Sequence, residues 1–280
     1  MRYAFLLTLS FALCAAGANR PQRIVSLSPD LTEMLYGVGA FPRVVGVSNY
    51  DTYPAAVAKL PHLGQLDGLS LERLAGLHPD LVVLNSVQAP FLEETLKELG
   101  MRVLKTSNRN IQEAYTAMNA IGYATGNPGE AAGLIAATRQ GLDRVARGTA
   151  RLPKLRVLLI VNRTPGTLRD LTVATEGSYL AELIAIAGGR IVSPPSSIGY
   201  AKLSKEDLLA INPDVILDFI HESKSVFAGN PMEAWRAMPE LKAVREHRTY
   251  GIDQDYAPHA SQRMVQTAEL FARLLHPGTR

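Results

Sequence analysis

The sequence predicts an α/β protein of two similar lobes, each a parallel-sheet α/β sandwich, joined by one long α-helix. Three observations predict it. Residues 70–84 (SLERLAGLHPDLVVL) recur in outline at 204–217 (SKEDLLAINPDVIL), with Ser70, Glu72, Leu74 and Pro79-Asp80 matching Ser204, Glu206, Leu208 and Pro213-Asp214. Each copy encodes a short helix, a Pro-Asp turn and a buried strand, and a duplicated α/β unit implies two lobes that hold something between them. Short β-branched runs alternate with helical segments on both sides of the repeat, which argues for parallel sheets covered on both faces. The middle of the chain carries one long helical pattern.

Taken in order, residues 1–18 read as a signal peptide. Arg2 supplies the positive end, Ala4 to Leu13 the apolar stretch, and Ala16-Gly17-Ala18 the cleavage site before Asn19. The stretch is too short to span a bilayer. Leu13 stands before Cys14 where a lipoprotein signal wants a small residue, which argues against lipid anchoring. Cys14 is the one cysteine of the chain, so the expected mature protein has no thiol nucleophile, cysteine metal site or disulfide. Export to a bacterial periplasm follows.

The first lobe, expected over 19–126, opens with a strand at 23–27 and a helix from Ser28-Pro29-Asp30 through Tyr36, ended by Gly37 and Gly39. A strand at Val44 to Val47, the first repeat with its strand at Leu81 to Leu84, a helix from Phe91 to Leu99 and a strand at Arg102 to Leu104 complete it. The connector, 127–152, begins Asn127-Pro128-Gly129-Glu130, an N-cap, a proline at the first helical position and a capping-box glutamate. Apolar residues then recur at helical spacing until Pro153, and about 24 residues of helix would span about 36 Å. That length suits a strut between lobes; the alternative is one long packing helix within a single domain. The second lobe, 153–280, repeats the plan with strands at Arg156 to Val161 and Thr249 to Ile252, the second Pro-Asp unit, and a last helix from about Ser261 to Leu275. Residues 179–189 resemble 31–39, and Glu33 and Glu182 each lie six residues before a helix-ending glycine, Gly39 and Gly188.

Composition narrows the function classes. A chain that is 47% hydrophobic and 20% charged is neither disordered nor a membrane bundle. The net charge of +3 comes without a run of Lys or Arg, so no nucleic-acid partner is expected. The histidines show no metal-binding spacing, and His259 reads as a surface residue. Gly37-Val38-Gly39 follows a helix and so is no dinucleotide fingerprint. Asn162-Arg163-Thr164 reads as a chance glycosylation sequon. Catalytic triad, phosphate loop and metal cluster signatures are missing, which weighs against an enzyme on a related two-lobed scaffold. A sensor or scaffold protein using the same cleft stays open.

The strand at 23–27 with Ser28-Pro29, Val45-Gly46-Val47-Ser48, the repeated LERL…PDLV unit and the long central helix together resemble the helical-backbone periplasmic binding proteins. These serve ABC importers of cobalamin, ferric siderophores and heme. The segment 47–54 (VSNYDTYP) is nearest in pattern to the cobalamin-binding members. The resemblance spans the expected mature chain and implies a monomer with no cofactor, its cargo a metal chelate such as cobalamin or a related corrinoid, its partner a dimeric permease of the inner membrane. It places Tyr50, Tyr200 and Tyr256 in the cleft with Asp255 facing the cargo, and puts Leu66 and Asn85 where further aromatic residues are expected. A flat macrocycle is held by ring faces and apolar edges, with a few polar groups fixing its orientation. Heme binders commonly carry a tyrosine in the loop before the first Leu-Glu motif; here that loop, 63–68, reads LGQLDG. Siderophore binders gather arginines, a role open to Arg163 and Arg263. Glu72 and Glu206 match the acids that dock onto permease arginines, and their plain alternative is a favourable charge at a helix N-terminus.

Overall fold

The computed structural model describes residues 20–64, 66, 68–220 and 232–278; the expected signal segment with Cys14 lies outside them. The first half contains β1 (Ile24–Ser26), α1 (Pro29–Gly37), β2 (Val44–Gly46), α2 (Leu71–Gly76), β3 (Leu81–Asn85), α3 (Ala89–Glu98), β4 (Val103–Thr106) and α4 (Ile111–Thr125). Next comes α5 (Pro128–Thr149). The second half contains β5 (Leu155–Asn162), β6 (Thr172–Ala174), α6 (Tyr179–Ile186), β7 (Gly189–Ile191), β8 (Tyr200–Lys202), α7 (Lys205–Ile211), β9 (Val215–Phe219), α8 (Lys242–Arg245), β10 (Thr249–Ile252) and α9 (Met264–Leu275).

Two sheets result. The first is four-stranded and wholly parallel, in the order β2-β1-β3-β4. The second runs β10-β9-β5-β6-β8, with β7 also on β5. Its β10, β9, β5 and β7 are mutually parallel, and β6 and β8 extend it antiparallel. These two short strands, β7, and α4 go beyond the elements expected from sequence.

The apolar runs of the strands follow from burial on both faces. Leu81 and Val83 of β3 join one large core while Val82 and Leu84 point to a smaller one under α2 and α3. In β5, Val157 and Leu159 join the same large core, and Leu158 and Ile160 turn to a second small core with Trp235. The large core is continuous through α5, which contributes Ala131 and Leu142 and packs along α4 on one side and α9 and α6 on the other.

The duplicated motif has a physical cause that both copies share. Ser70 and Ser204 cap α2 and α7 through the N–H groups of Arg73 and Asp207. His78 and Asn212 then take left-handed backbone, φ 46° and 41°, ahead of the prolines. Asp80 accepts the Arg23 N–H at 2.9 Å, and the Arg23 side chain returns to the Leu77 carbonyl at 2.8 Å. Asp214 likewise accepts the Arg156 N–H at 2.9 Å, and Arg156 returns to the carbonyls of Ile211 and Asn212. Each unit thus ties a helix end and a turn to the first strand of its sheet. The expected capping box on α5 does not form: the Asn127 side chain accepts from Arg43 at 2.7 Å and makes no cap bond. The helix itself runs for 22 residues.

Candidate functional site

A cleft of about 740 Å³ opens where the strands of the second sheet end. β5 delivers Val161 and Asn162, β9 delivers Phe219 and then Ile220, and β10 delivers Ile252 and then Asp253. The facing wall comes from the other half: Pro29 at the start of α1, and Tyr50 and Thr52 after β2. Carboxyl ends of parallel strands are where open α/β sheets take ligands, because loops there are free to vary over a rigid base. The volume is that of a site for a sizeable small molecule. Gln254, Asp255, Pro258 and His259 complete the lining.

An ionic network ties α1 to the segment before α9 at this cleft. Glu33, 1% exposed, accepts from Arg263 Nη1 at 2.9 Å, from the Ser261 hydroxyl, and lies 2.9 Å from His259 Nδ1. Arg263 also donates to Asp255 at 3.1 Å, and Asp255 accepts from the Thr52 hydroxyl at 2.8 Å. The Arg263 guanidinium lies over the rings of Tyr53 (4.3 Å) and Tyr256 (5.0 Å). A carboxylate removed from water this completely is tolerable because a cation and further donors surround it.

The network sets its own protonation. Burial would hold His259 down, but the hydrogen bond and charge of Glu33, with Asp30 and Asp255 behind it, raise it above the ordinary imidazole value. Burial pulls Asp255 upward, yet Thr52 and Arg263 together leave it below the usual carboxylate range. Asp30 and Asp51 are raised by burial, against the hydrogen bonds from Ser28 and Ser48 that pull them down.

The residues expected in the cleft divide sharply. Tyr50 lines it with 61% of its surface exposed, and Asp255 lines it beside the ion pair. Tyr256 does not line it; its ring sits under Arg263. Tyr200, on β8, is half-buried against the large core, and burial pushes its hydroxyl pKa up. Leu66 packs on the small core of the first sheet. Asn85 spends its carbonyl on the N–H groups of Val87 and Gln88, closing the turn after β3. Arg163 is a correction: it is only 8% exposed, and it donates to the fully buried Asp218 at 2.8 Å and to the Thr167 carbonyl. Arg263 is near the site but engaged by Glu33 and Asp255. His259 is the second correction, since it is a part-buried member of the network and not a surface residue. Glu72 and Glu206 are exposed in the first turns of α2 and α7.

Sequence reasoning overlooked Asn162 and Asp253 as lining residues and Glu33 as the centre of the network. The first two carried a usable signal, as each stands at the carboxyl end of an expected strand. Glu33 carried a fainter one, an acid in the apolar stretch of α1 in register with Glu182. Among the described residues, no group of His, Cys, Asp and Glu is arranged to hold a metal ion.

Comparison with known proteins agrees with this architecture. A family model described as periplasmic binding protein matches residues 24–256. An uncharacterized ABC transporter substrate-binding lipoprotein of Bacillus subtilis is 26% identical over 269 residues, covering 93% of this chain and 82% of the relative. A vitamin B12-binding protein of Vibrio cholerae is 24% identical, covering 89% of this chain and 87% of its own. The crystal structure of a periplasmic heme-binding protein from Pseudomonas aeruginosa superposes with a TM-score of 0.78 at 23% identity, over 93% of this chain and 94% of that one.

Proposed function

We propose, from the premise that the chain belongs to the periplasmic binding protein family, that it captures cobalamin or a related corrinoid in the cleft and delivers it unchanged to an ABC importer. The observation that carries this reading is the chemistry of the cleft wall. Among the described lining residues, apolar side chains and the ring of Tyr50 stand beside polar groups: the carboxylates of Asp253 and Asp255, the side-chain amides of Asn162 and Gln254, the Thr52 hydroxyl and the His259 ring. Arg263 is engaged by Glu33 and Asp255. Such a wall suits a flat macrocycle whose rim donates N–H groups, as the carboxamides of a corrin do. A porphyrin or siderophore rimmed by carboxylates would meet Asp253 as a like charge.

The name of the Vibrio cholerae relative supports the same cargo, and the heme-binding structural neighbour makes heme the competitor to exclude. Calorimetric titration of the mature protein with cyanocobalamin, hemin and a ferric hydroxamate decides between them. Saturable heat with cyanocobalamin is expected; saturation by hemin or the hydroxamate alone would replace the corrinoid reading.

Delivery needs a partner. Glu72 and Glu206 sit on equivalent helices of the two halves, and two matched acids meeting two basic patches of a dimeric permease would fix orientation as well as attraction. Ser204 and Asp207 complete the capping box of α7, so Glu206 is not needed for capping. Export through residues 1–18 would leave Asn19 as the first residue. The Bacillus relative is named a lipoprotein, and acylation at Cys14 would instead keep the chain on a membrane surface; the mass of the mature N-terminus separates the two. Among the described residues, no helix is long and apolar enough to cross a membrane.

A further inference from the structure

We propose that Glu33 and Glu182 are a pseudo-symmetric pair of positioning residues, each clasping the entrance of the other lobe's last helix, and that together they set the width of the cleft. The two occupy matched positions. Each lies six residues before a glycine in left-handed backbone, Gly39 (φ 75°) after α1 and Gly188 (φ 86°) after α6. Both carboxylates reach out of their own lobe. Glu182 accepts the N–H of Ile111, the first residue of α4, at 2.7 Å. Glu33 accepts from Ser261 and Arg263, the residues that lead into α9.

Each clasp is closed by a second bond. The Tyr179 N–H at the start of α6 donates to the Arg109 carbonyl at 2.7 Å, and the Gln262 amide donates to the Glu33 carbonyl at 2.7 Å. A helix entrance is where a carboxylate is most useful, because its first N–H groups lack partners and the dipole is positive there. In α4 the Asn110 side chain takes the Glu113 N–H, and the donor left at Ile111 is met by Glu182 from α6. The Glu33 clasp is continuous with the lining through His259 and through Arg263 to Asp255 and Thr52. Opening the lobes about α5 must therefore break both clasps, and breaking the Glu33 side strips Arg263 and His259 of their shared acceptor. Two bonded edges plus one helix hold the aperture where a helix alone would leave a rocking axis.

The consequence for cargo rests on the binding reading above; the clasp itself does not. The test uses spin labels on exposed residues of opposite lobes, Val87→Cys and Ile198→Cys (68% and 72% exposed), with Cys14→Ser. Distance distributions are measured by double electron–electron resonance for the parent, Glu33→Gln, Glu182→Ala and the double variant. The parent should give one narrow distribution. Each single variant should broaden it and the double variant should add a longer population. Hydrogen exchange at Ile111 should rise about tenfold in Glu182→Ala, the scale of losing one bond to a charged group. A role in folding alone would lower the melting temperature without moving the distances of folded molecules. Unchanged distributions in Glu182→Ala, a change at a part-buried position, and in the double variant would overturn the proposal. Failure of the parent to bind any corrinoid would sink the cargo reading and leave the clasp standing.

Discussion

Tyr50→Ala tests the proposed cargo contact of the one tyrosine among the described lining residues of the cleft. The residue is 61% exposed. An aromatic side chain offers on the order of 200 Å², so about 120 Å² of Tyr50 is open to a ligand. If a planar cargo covers one face, about 60 Å² is buried, and at ~25 cal/mol per Å² this contributes about 1.5 kcal/mol. Stacking adds about 0.5–1.5 kcal/mol. The alanine variant should then bind cyanocobalamin about 30- to 150-fold more weakly by calorimetry, and Tyr50→Phe should stay near the parent. Because the ring is exposed, the thermal midpoint should barely move. Tyr200→Ala and Tyr256→Ala should behave in the opposite way, lowering the midpoint more than the affinity, since both rings pack on the large core. Binding by Tyr50→Ala within about twofold of the parent would refute the assignment of this wall to the cargo.

Reversing both Glu72 and Glu206 to lysine should abolish uptake and permease binding while leaving cyanocobalamin affinity and thermal stability near the parent's; uptake at the parental rate would end the docking role. Acid stability gives another readout. Hydrogen bonds from Arg109 and Ser107 outweigh burial and bring the Glu113 carboxyl down to about 2. A carboxylate lowered on folding stabilises fully above its unfolded value of about 4.5 and loses that contribution as the pH falls toward about 2. With its side chain 24% exposed, solvent screening leaves about 1 kcal/mol. Urea midpoints of the parent and Glu113→Gln should therefore draw together as the pH falls from about 4.5 toward about 2; parallel curves would contradict this.

The strands and the repeated units were legible because their causes are local: a serine cap, a Pro-Asp turn and an apolar run lie within a few residues of each other. The short strands β6 and β8 were not, since three residues each carry no period and their pairing is set by distant neighbours. α4 had a readable start in Asn110 and Glu113 and a readable stop at Gly126. Its interior mixes Tyr, Thr, Asn and Gly, and it is held by packing on α5, which local propensity does not reveal. The site was harder for the same reason. Arg163 looks like a cleft cation until Asp218, 55 residues on, claims it. His259 looks like a surface imidazole until Glu33, 226 residues away, is folded beside it. Asn127 would cap α5 but for Arg43, 84 residues upstream.

The continuous core through α5 bears on how the molecule comes apart. Ile24 and Val83 of one sheet, Ala131 and Leu142 of the connecting helix, and Val157 and Leu217 of the other sheet belong to a single buried cluster. Neither half can melt without uncovering apolar surface on the other. The protein should thus unfold as one cooperative unit, with the calorimetric enthalpy equal to the van't Hoff value. A fragment ending before α5 would expose the faces of α1 and α4 that the helix covers. A chain interrupted midway should therefore offer proteases an unfinished half, with resistance to cleavage expected only once α9 is in place.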